Sequence, residues 1–276
     1  MHSNDPNAIP EYELDISYGV STGTPKDLRL RLFRPNGRSR GTVIYAHGGG
    51  FSHGSRKDKT AAKLFARLVQ DDVAVASIDY RKQTPIEAFG PTAAAQIIDA
   101  QSRSARVGLR INPQYCGPFF YAALEDFGLA LGFLKKHQTE LRLGGRFVAL
   151  GASAGGIAAL SLAFPPGRGW ENLPRPDAAM GICAAMVQPW RLSPKGPPSV
   201  LLHGYHDGVI GPGNAKLAAR RAAKKGAPLR TIITPIKGHR PQVTAFLEGN
   251  DETGRPYLDL LRDLLFNTSS PISSQG

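Results

Sequence analysis

Ser153 is the side chain best placed in this sequence to attack an electrophilic carbon. It lies within RFVALGASAGGIAAL, where Gly151, Ala152, Ser153, Ala154 and Gly155 spell G-x-S-x-G between an apolar, strand-like run and a helix of small residues. A serine on so sharp a strand-to-helix turn sits in a strained backbone conformation, and small neighbours at Gly151 and Gly155 keep the flanking chains from colliding. Its hydroxyl then stands above the sheet, and the N-terminus of the following helix faces any negative charge that develops there. The N–H of Ala154, next in the chain, is a further donor to that charge. A Gly-rich turn of this kind also cradles dinucleotides, but the G-x-G-x-x-G spacing is absent.

A second glycine-rich segment, HGGGF from His47 to Phe51, closes the apolar run GTVIYAH. Glycines let main-chain N–H groups approach an oxyanion closely, and one such donor lowers an acyl-transfer barrier by about 2.7–4 kcal/mol. His47 is expected to fix this loop by hydrogen bonding rather than to act as a base.

A serine hydroxyl needs a base, and the base needs a group that orients it. Three acidic residues lie between Ser153 and His239: Glu171, Asp177 and Asp207. Asp177 precedes its strand, so it falls at the wrong edge of a parallel sheet. Glu171 sits in a Pro/Gly-rich loop with no strand leading into it. Asp207 follows PSVLLHG, at the carboxyl edge where active sites collect. Of the histidines beyond Ser153, His203 and His206 precede Asp207, and only His239 follows it, after the run LRTIITPI. An imidazole with an ordinary pKa near 6.5 suits a base that later returns its proton. The cluster HGYHD also suggests a metal site, but no H-E-x-x-H and no third nitrogen ligand accompany it, so no metal is expected.

The elements that must carry these groups follow from periodicity. YELDISYGV, a turn at STGTPKD and LRLRLF read as a hairpin. GTVIYAH, VAVASIDY, RFVALG, AAMGICAAMV, PSVLLHG and LRTIITPI read as buried strands. Helical patterns fall near 57–70, 92–106 and 120–137, after Ser153, at 214–225, and near 241–247 and 257–265. Strands alternating with helices predict an α/β fold with a mostly parallel sheet of about eight strands flanked by helices.

These segments resemble the esterases of the α/β-hydrolase superfamily, and are most similar to the hormone-sensitive-lipase-like bacterial carboxylesterases. The likeness runs from about Thr42 to the C-terminus. It rests on HGGGF, on IDYR (Asp79, Tyr80, Arg81), on ALEDFGLALGFL, on GASAGG, and on the late Asp and His. It implies the α/β-hydrolase fold and hydrolysis of carboxylic esters of short to medium acyl groups, through an acyl-enzyme and without a cofactor. It places the oxyanion donors on Gly49, Gly50 and Ala154. Ala152 stands where that family usually carries an acid, and Asp207-Gly208-Val209-Ile210 replaces its D-P-L-x-D. An amidase, peptidase or acyltransferase would use the same Ser153, Asp207 and His239. A non-catalytic binding protein on this fold is the reading of a different class.

The stretch 82–117 is longer than an ordinary connection and is expected either as a lid or pocket wall or as an excursion packed on the surface. Phe51, Phe89, Phe119 and Phe120, with Ile97 and Ile98, are the candidate lining. Arg103, Arg106 and Arg110 would bring positive charge to its mouth and favour acidic substrates.

The 276 residues, 41% hydrophobic and 20% charged, suit one domain over 1–266, with the polar tail 267–276 expected to fray. Two cysteines make no disulfide framework, no run approaches a membrane span, and the N-terminus lacks the pattern of a secretion signal; a cytoplasmic location is expected. The net charge of +12 is scattered. Lys216, Arg220 and Lys224, with Arg221 and Lys225, read as one solvated helix stripe, so nucleic acid is not an expected partner. The expected partner is a small ester, and homo-oligomer formation is compatible with the sequence.

Overall fold

The computed structural model describes residues 13–21, 26–167 and 169–266. The expected tail, 267–276, and the middle of the hairpin turn lie outside the described residues. Eight strands form one sheet in the order β1-β2-β4-β3-β5-β6-β7-β8. β1 (Glu13–Val20) and β2 (Asp27–Phe33) make the hairpin, and β2 pairs antiparallel with β4 (Val73–Ile78). From β4 through β3 (Gly41–Ala46), β5 (Phe147–Ala152), β6 (Ala178–Ile182), β7 (Ser199–His206) and β8 (Leu229–Lys237), every pairing is parallel.

Parallel strands need crossovers, and helices cover both faces of this sheet. Side-chain alternation divides each central strand between two apolar layers. Ile44, Ala46 and Ala149 face one way, toward α3 (Pro118–Lys136), α4 (Ala154–Ala163) and α5 (Gly213–Lys225). Val43, Tyr45, Val148 and Leu150 face the other, toward α1 (Ala62–Gln70), α6 (Pro241–Glu248) and α7 (Leu258–Phe266). That is why these strands read as continuous apolar runs: every residue of β3, β4, β5 and β6 is buried. α5 buries Ala215, Ala218 and Ala222 and exposes Lys216, Arg220 and Lys224, as its spacing predicts.

The chain runs from β3 outward to β4, then returns to the other side of β3 to form β5. Strand order reverses there, and the carboxyl ends of β3 and β5 flank a crevice. HGGGF leaves β3 at that point and Ser153 leaves β5. Two of the segments that carry the sequence resemblance meet beside it. Asp126 of α3 accepts from the Arg81 backbone N–H at 2.6 Å and from its Nε at 3.0 Å, and Glu125 accepts from Arg81 Nη2 at 2.7 Å. Asp79 accepts from the backbone N–H of Arg56 at 2.8 Å. These contacts tie the end of β4 to α3 and to the loop after HGGGF.

One element departs from the sequence expectation. The run AAMGICAAMV stops being a strand at Ile182, because Cys183 turns into the left-handed region with φ 44°. Residues 183–187 stay buried as a loop, so their apolar character reports burial and not extension. Within 82–117, α2 (Pro91–Arg106) sends Ile97 into the first apolar layer, and Ser104 Oγ donates to the Val187 carbonyl at 2.9 Å. No helix among the described residues is long and apolar enough to cross a membrane.

Candidate active site

β5 ends in Ala152, and α4 begins at Ala154, leaving one residue to reverse the chain. That residue, Ser153, adopts φ 54° and ψ −121°, a region that non-glycine residues rarely enter. The turn closes only because Gly155 lets α4 lie on β3: a Cβ built there would stand 1.9 Å from the Ala46 carbonyl oxygen. Ser153 N–H donates to the Ile182 carbonyl at 2.8 Å, and Ile157 N–H donates to the Ser153 carbonyl at 3.0 Å. The backbone strain is thus held from both sides, and the side chain is left free to point out of the turn.

His239 stands two residues past the end of β8. His239 Nε2 stands 2.9 Å from Ser153 Oγ, and its Nδ1 stands 2.7 Å from Asp207 Oδ2. Since an ionised carboxylate only accepts, Nδ1 carries the proton and Nε2 presents its lone pair to the serine hydroxyl. Asp207, 4% exposed, also accepts from the backbone N–H groups of Val209 at 2.9 Å and Ile210 at 3.0 Å on Oδ1. Desolvation alone would raise its pKa; the hydrogen bonds from His239, Ile210 and Val209 outweigh it and hold the carboxyl down to about 2. The other two acids between Ser153 and His239 lie elsewhere. Asp177 accepts from Phe147 N–H at the start of β5, and Glu171 from Gly169 N–H.

A fourth hydrogen bond to Asp207 was not legible in the sequence. Gln242, on the first turn of α6 and 1% exposed, donates through Nε2 to Asp207 Oδ2 at 2.8 Å and to the Gly238 carbonyl at 2.9 Å. Its Oε1 accepts from Gly204 N–H at 2.6 Å. One amide therefore joins β7, the acid and the loop that bears His239. The only sequence signal is its place three residues after His239 on a predicted helix.

The glycine loop faces this trio. Gly49 has φ 110°, and a Cβ there would lie 2.4 Å from the His53 carbonyl oxygen, so no other residue fits. Among the described residues, no acceptor is hydrogen-bonded to the N–H groups of Gly49, Gly50 or Ala154. The Ala154 N–H is one of the unsatisfied donors that every helix start presents. His47 lies beneath the loop, stacked on Tyr80 with ring centroids 4.2 Å apart, its Nδ1 2.6 Å from the Gly48 carbonyl oxygen. Tyr80 Oη donates to the His47 carbonyl at 2.7 Å. Burial lowers the His47 pKa, which favours the neutral ring that this arrangement needs.

A cleft of about 1270 Å³ opens at Ser153 and His239 and runs between the segment 48–60 and α6. Tyr45, Tyr115, Cys183, Val209, Ile236 and Val243 give it apolar walls, and Lys57, Asp58, Arg240 and Glu248 its charges. This corrects the expected lining. Phe51 and Phe120 are fully buried and pack on each other, 6.1 Å between centroids, inside the first apolar layer. Phe89 and Phe119 are half-buried against that layer, Ile97 is buried in it, and Ile98 is exposed. None of the six lines the cleft, because the segment 82–117 packs on the α3 side of the sheet while the cleft descends on the α6 side. Tyr115 is its one contribution. The expected arginines are elsewhere too: Arg103 stacks over Trp190 at 4.7 Å, Arg106 pairs with Asp99 at 3.7 Å, and the Arg110 backbone N–H donates to Asn214.

His203 and His206 do not converge with Asp207 on a metal-like site. His203 is buried with both ring nitrogens against backbone carbonyls, His206 is exposed, and no cluster of metal-ligating side chains occurs among the described residues. Cys183, in the cleft wall, has its thiol pushed up to about 12, by burial above all, and is a neutral packing group.

Known proteins place this architecture. A protein-family model described as BD-FAE matches residues 30–105, the span from β2 through the glycine loop to α2. No curated protein matches the chain. Among solved structures, native esterase 2 of Thermogutta terrifontis superposes with a TM-score of 0.64 at 16% identity, over 94% of this chain and 95% of that one. The same esterase phosphorylated by paraoxon gives 0.63 at 17% identity, over 95% and 94%. Its propionate-bound form gives 0.62 at 17% identity, over 92% of each chain. With its eight-stranded, mostly parallel sheet and flanking helices, the chain has the α/β-hydrolase fold.

Proposed function

We propose that this protein is a serine hydrolase that cleaves carboxylic esters of short to medium acyl groups through a covalent acyl-enzyme. The observation that carries the reading is the unbroken chain Ser153 Oγ, His239 Nε2, His239 Nδ1, Asp207 Oδ2, with contacts of 2.9 and 2.7 Å, facing unpaired main-chain donors. Ser153 Oγ attacks the ester carbonyl while its proton passes to His239 Nε2. Asp207 stabilises the imidazolium without taking a proton. The negative oxygen of the tetrahedral intermediate is met by the N–H groups of Gly49, Gly50 and Ala154 and by the N-terminus of α4. His239 then gives its proton to the departing alkoxide, so an alcohol leaves and Ser153 stays acylated. Water repeats the path and releases the acid. The small-acyl range is supported by the propionate- and butyrate-bound forms of the Thermogutta terrifontis esterase.

The test is a fluorophosphonate probe followed by an acyl-length series of p-nitrophenyl esters and matched amides. Wild-type protein is expected to label at Ser153 and to turn over esters well ahead of amides. Ser153→Ala is expected to lose label and to lower kcat on the order of 10⁶-fold, with an unchanged circular dichroism spectrum. Near-normal ester turnover by Ser153→Ala would end the proposal.

A further inference from the structure

His203 takes no part in the proton path just described, yet it lies against the acid on which that path depends. It is 0% exposed, on β7, four residues before Asp207. Its Nδ1 stands 3.0 Å from the Ala184 carbonyl oxygen, in the buried loop after β6. Its Nε2 stands 2.7 Å from the Ile210 carbonyl oxygen and 3.6 Å from Asp207 Oδ2. Carbonyl oxygens have no proton to give, and a neutral imidazole has one N–H. A neutral ring would therefore set a bare nitrogen lone pair against an oxygen lone pair at one of these two contacts. It would also leave one buried carbonyl unpaired, since among the described residues no backbone N–H donates to Ala184 or Ile210.

We infer that His203 is an imidazolium, donating to both carbonyls and sharing the charge of Asp207, and that it is a positioning residue which keeps His239 in its free-base form. Burial works against this state and, with the charge on His239, lowers the pKa of His203 overall, although the Ile210 carbonyl, Asp207 and the Ala184 carbonyl each raise it. Against that lowering stand two contacts, at 3.0 and 2.7 Å, that only a doubly protonated ring satisfies. Asp207 stays ionised beside it, its own pKa held to about 2. The carboxylate then lies between two imidazole rings, one cationic throughout and one that gains and loses a proton in each turnover.

The consequence is electrostatic. A fixed cation next to Asp207 offsets part of the attraction that would otherwise draw a proton onto His239, and it repels His239 directly once that ring is charged. The groups that bear on His239 are Asp207 and His203 from the β7 side, Arg240, Glu248 and the neutral Gln242 from α6 and its start, Lys57 and Asp58 from the segment after the glycine loop, and the neutral thiol of Cys183 across the cleft. Among them His203, Arg240 and Lys57 are positive, and Arg240 and Lys57 are exposed to solvent, so His203 is the buried cation of the set.

This inference rests on the hydrolase reading only for its second arm. In the first, ring nitrogens of ¹⁵N-histidine-labelled wild-type protein are followed by NMR between pH 6 and 9, with His203 assigned by its loss in His203→Gln. Two proton-bearing nitrogens throughout are expected; one bare nitrogen at pH 7 overturns the inference, whatever the protein hydrolyses. In the second, kcat/KM for an ester is measured against pH. His203→Gln keeps amide donors but no charge, and it is expected to move the acid limb upward by about one unit, giving about tenfold lower kcat/KM below the limb and a smaller change above it. A uniform loss at every pH, with the limb unmoved, would mark His203 as a structural clamp and refute the electrostatic role. Absence of probe labelling at Ser153 would instead fail the hydrolase reading and leave the NMR result to decide the protonation of His203.

Discussion

Replacing Gln242 with leucine tests how the candidate acid is held in place. The side chain is 1% exposed and makes three hydrogen bonds at 2.6, 2.8 and 2.9 Å, one of them to an ionised carboxylate. Losing a bond to a charged group costs about 1.5–3 kcal/mol, and leaving the buried Gly204 N–H without an acceptor costs about 1–3 kcal/mol more. Partial relaxation overlaps the two, so an unfolding free energy lower by about 3–4 kcal/mol is expected. Asp207 keeps its backbone donors at Val209 and Ile210, so the acid stays ionised but its Oδ2 is less firmly placed. A kcat about tenfold to hundredfold lower with KM little changed follows from the lost orientation. Urea unfolding followed by circular dichroism reads the first quantity, and ester hydrolysis the second. Gln242→Glu separates the parts: it keeps an acceptor for Gly204 N–H but sets a carboxylate against Asp207, so activity should fall further at pH 8 and recover as the new carboxyl protonates. A Gln242→Leu protein within 1 kcal/mol of wild type and equally active would show that the amide holds nothing.

Two further perturbations follow from the same geometry. Gly155→Ala puts a methyl group 1.9 Å from the Ala46 carbonyl oxygen, so α4 must lift from β3; the variant is expected to lose soluble yield and well over 3 kcal/mol of stability, and a melting temperature within two degrees of wild type would contradict the packing argument. The lowering of the Asp207 pKa from 3.8 to about 2 corresponds to about 2.5 kcal/mol at 1.36 kcal/mol per unit. Because the folded-state value is the depressed one, that stability is complete above about pH 4 and disappears as pH falls through about 2. The difference in urea stability between wild type and Asp207→Asn should therefore narrow between pH 5 and pH 2, and a gap constant over that range would refute the assignment.

The chemistry-bearing residues were legible because chain order and strand edges are one-dimensional facts. Once RFVALG, PSVLLHG and LRTIITPI read as parallel strands, Ser153, Asp207 and His239 had to fall at the same rim. Fold class followed from the same alternation. The pocket did not follow, because which face of the sheet a cleft descends is decided by helix packing, which no local pattern records. Phe51 and Phe120 are as apolar as any lining residue, and only their packing against Tyr80, Tyr115 and Tyr121 assigns them to the core. Gln242 was invisible for a related reason: a glutamine on a short helix has no signature until three elements are seen to meet on its amide. The loop 183–187 has the composition of a strand because burial and extension give the same pattern, and a single left-handed residue at Cys183 separates them.

All ten residues of α4 are buried, so the helix that begins beside Ser153 has no face in contact with solvent. Such a helix cannot fray or detach in part; freeing it means opening both the sheet and the layer above it, which are the last regions to yield in a cooperative domain. The serine turn is therefore present in full or lost together with the whole molecule. In a heat or denaturant titration, residual turnover should count intact molecules one for one, and its midpoint should coincide with that of the circular dichroism signal.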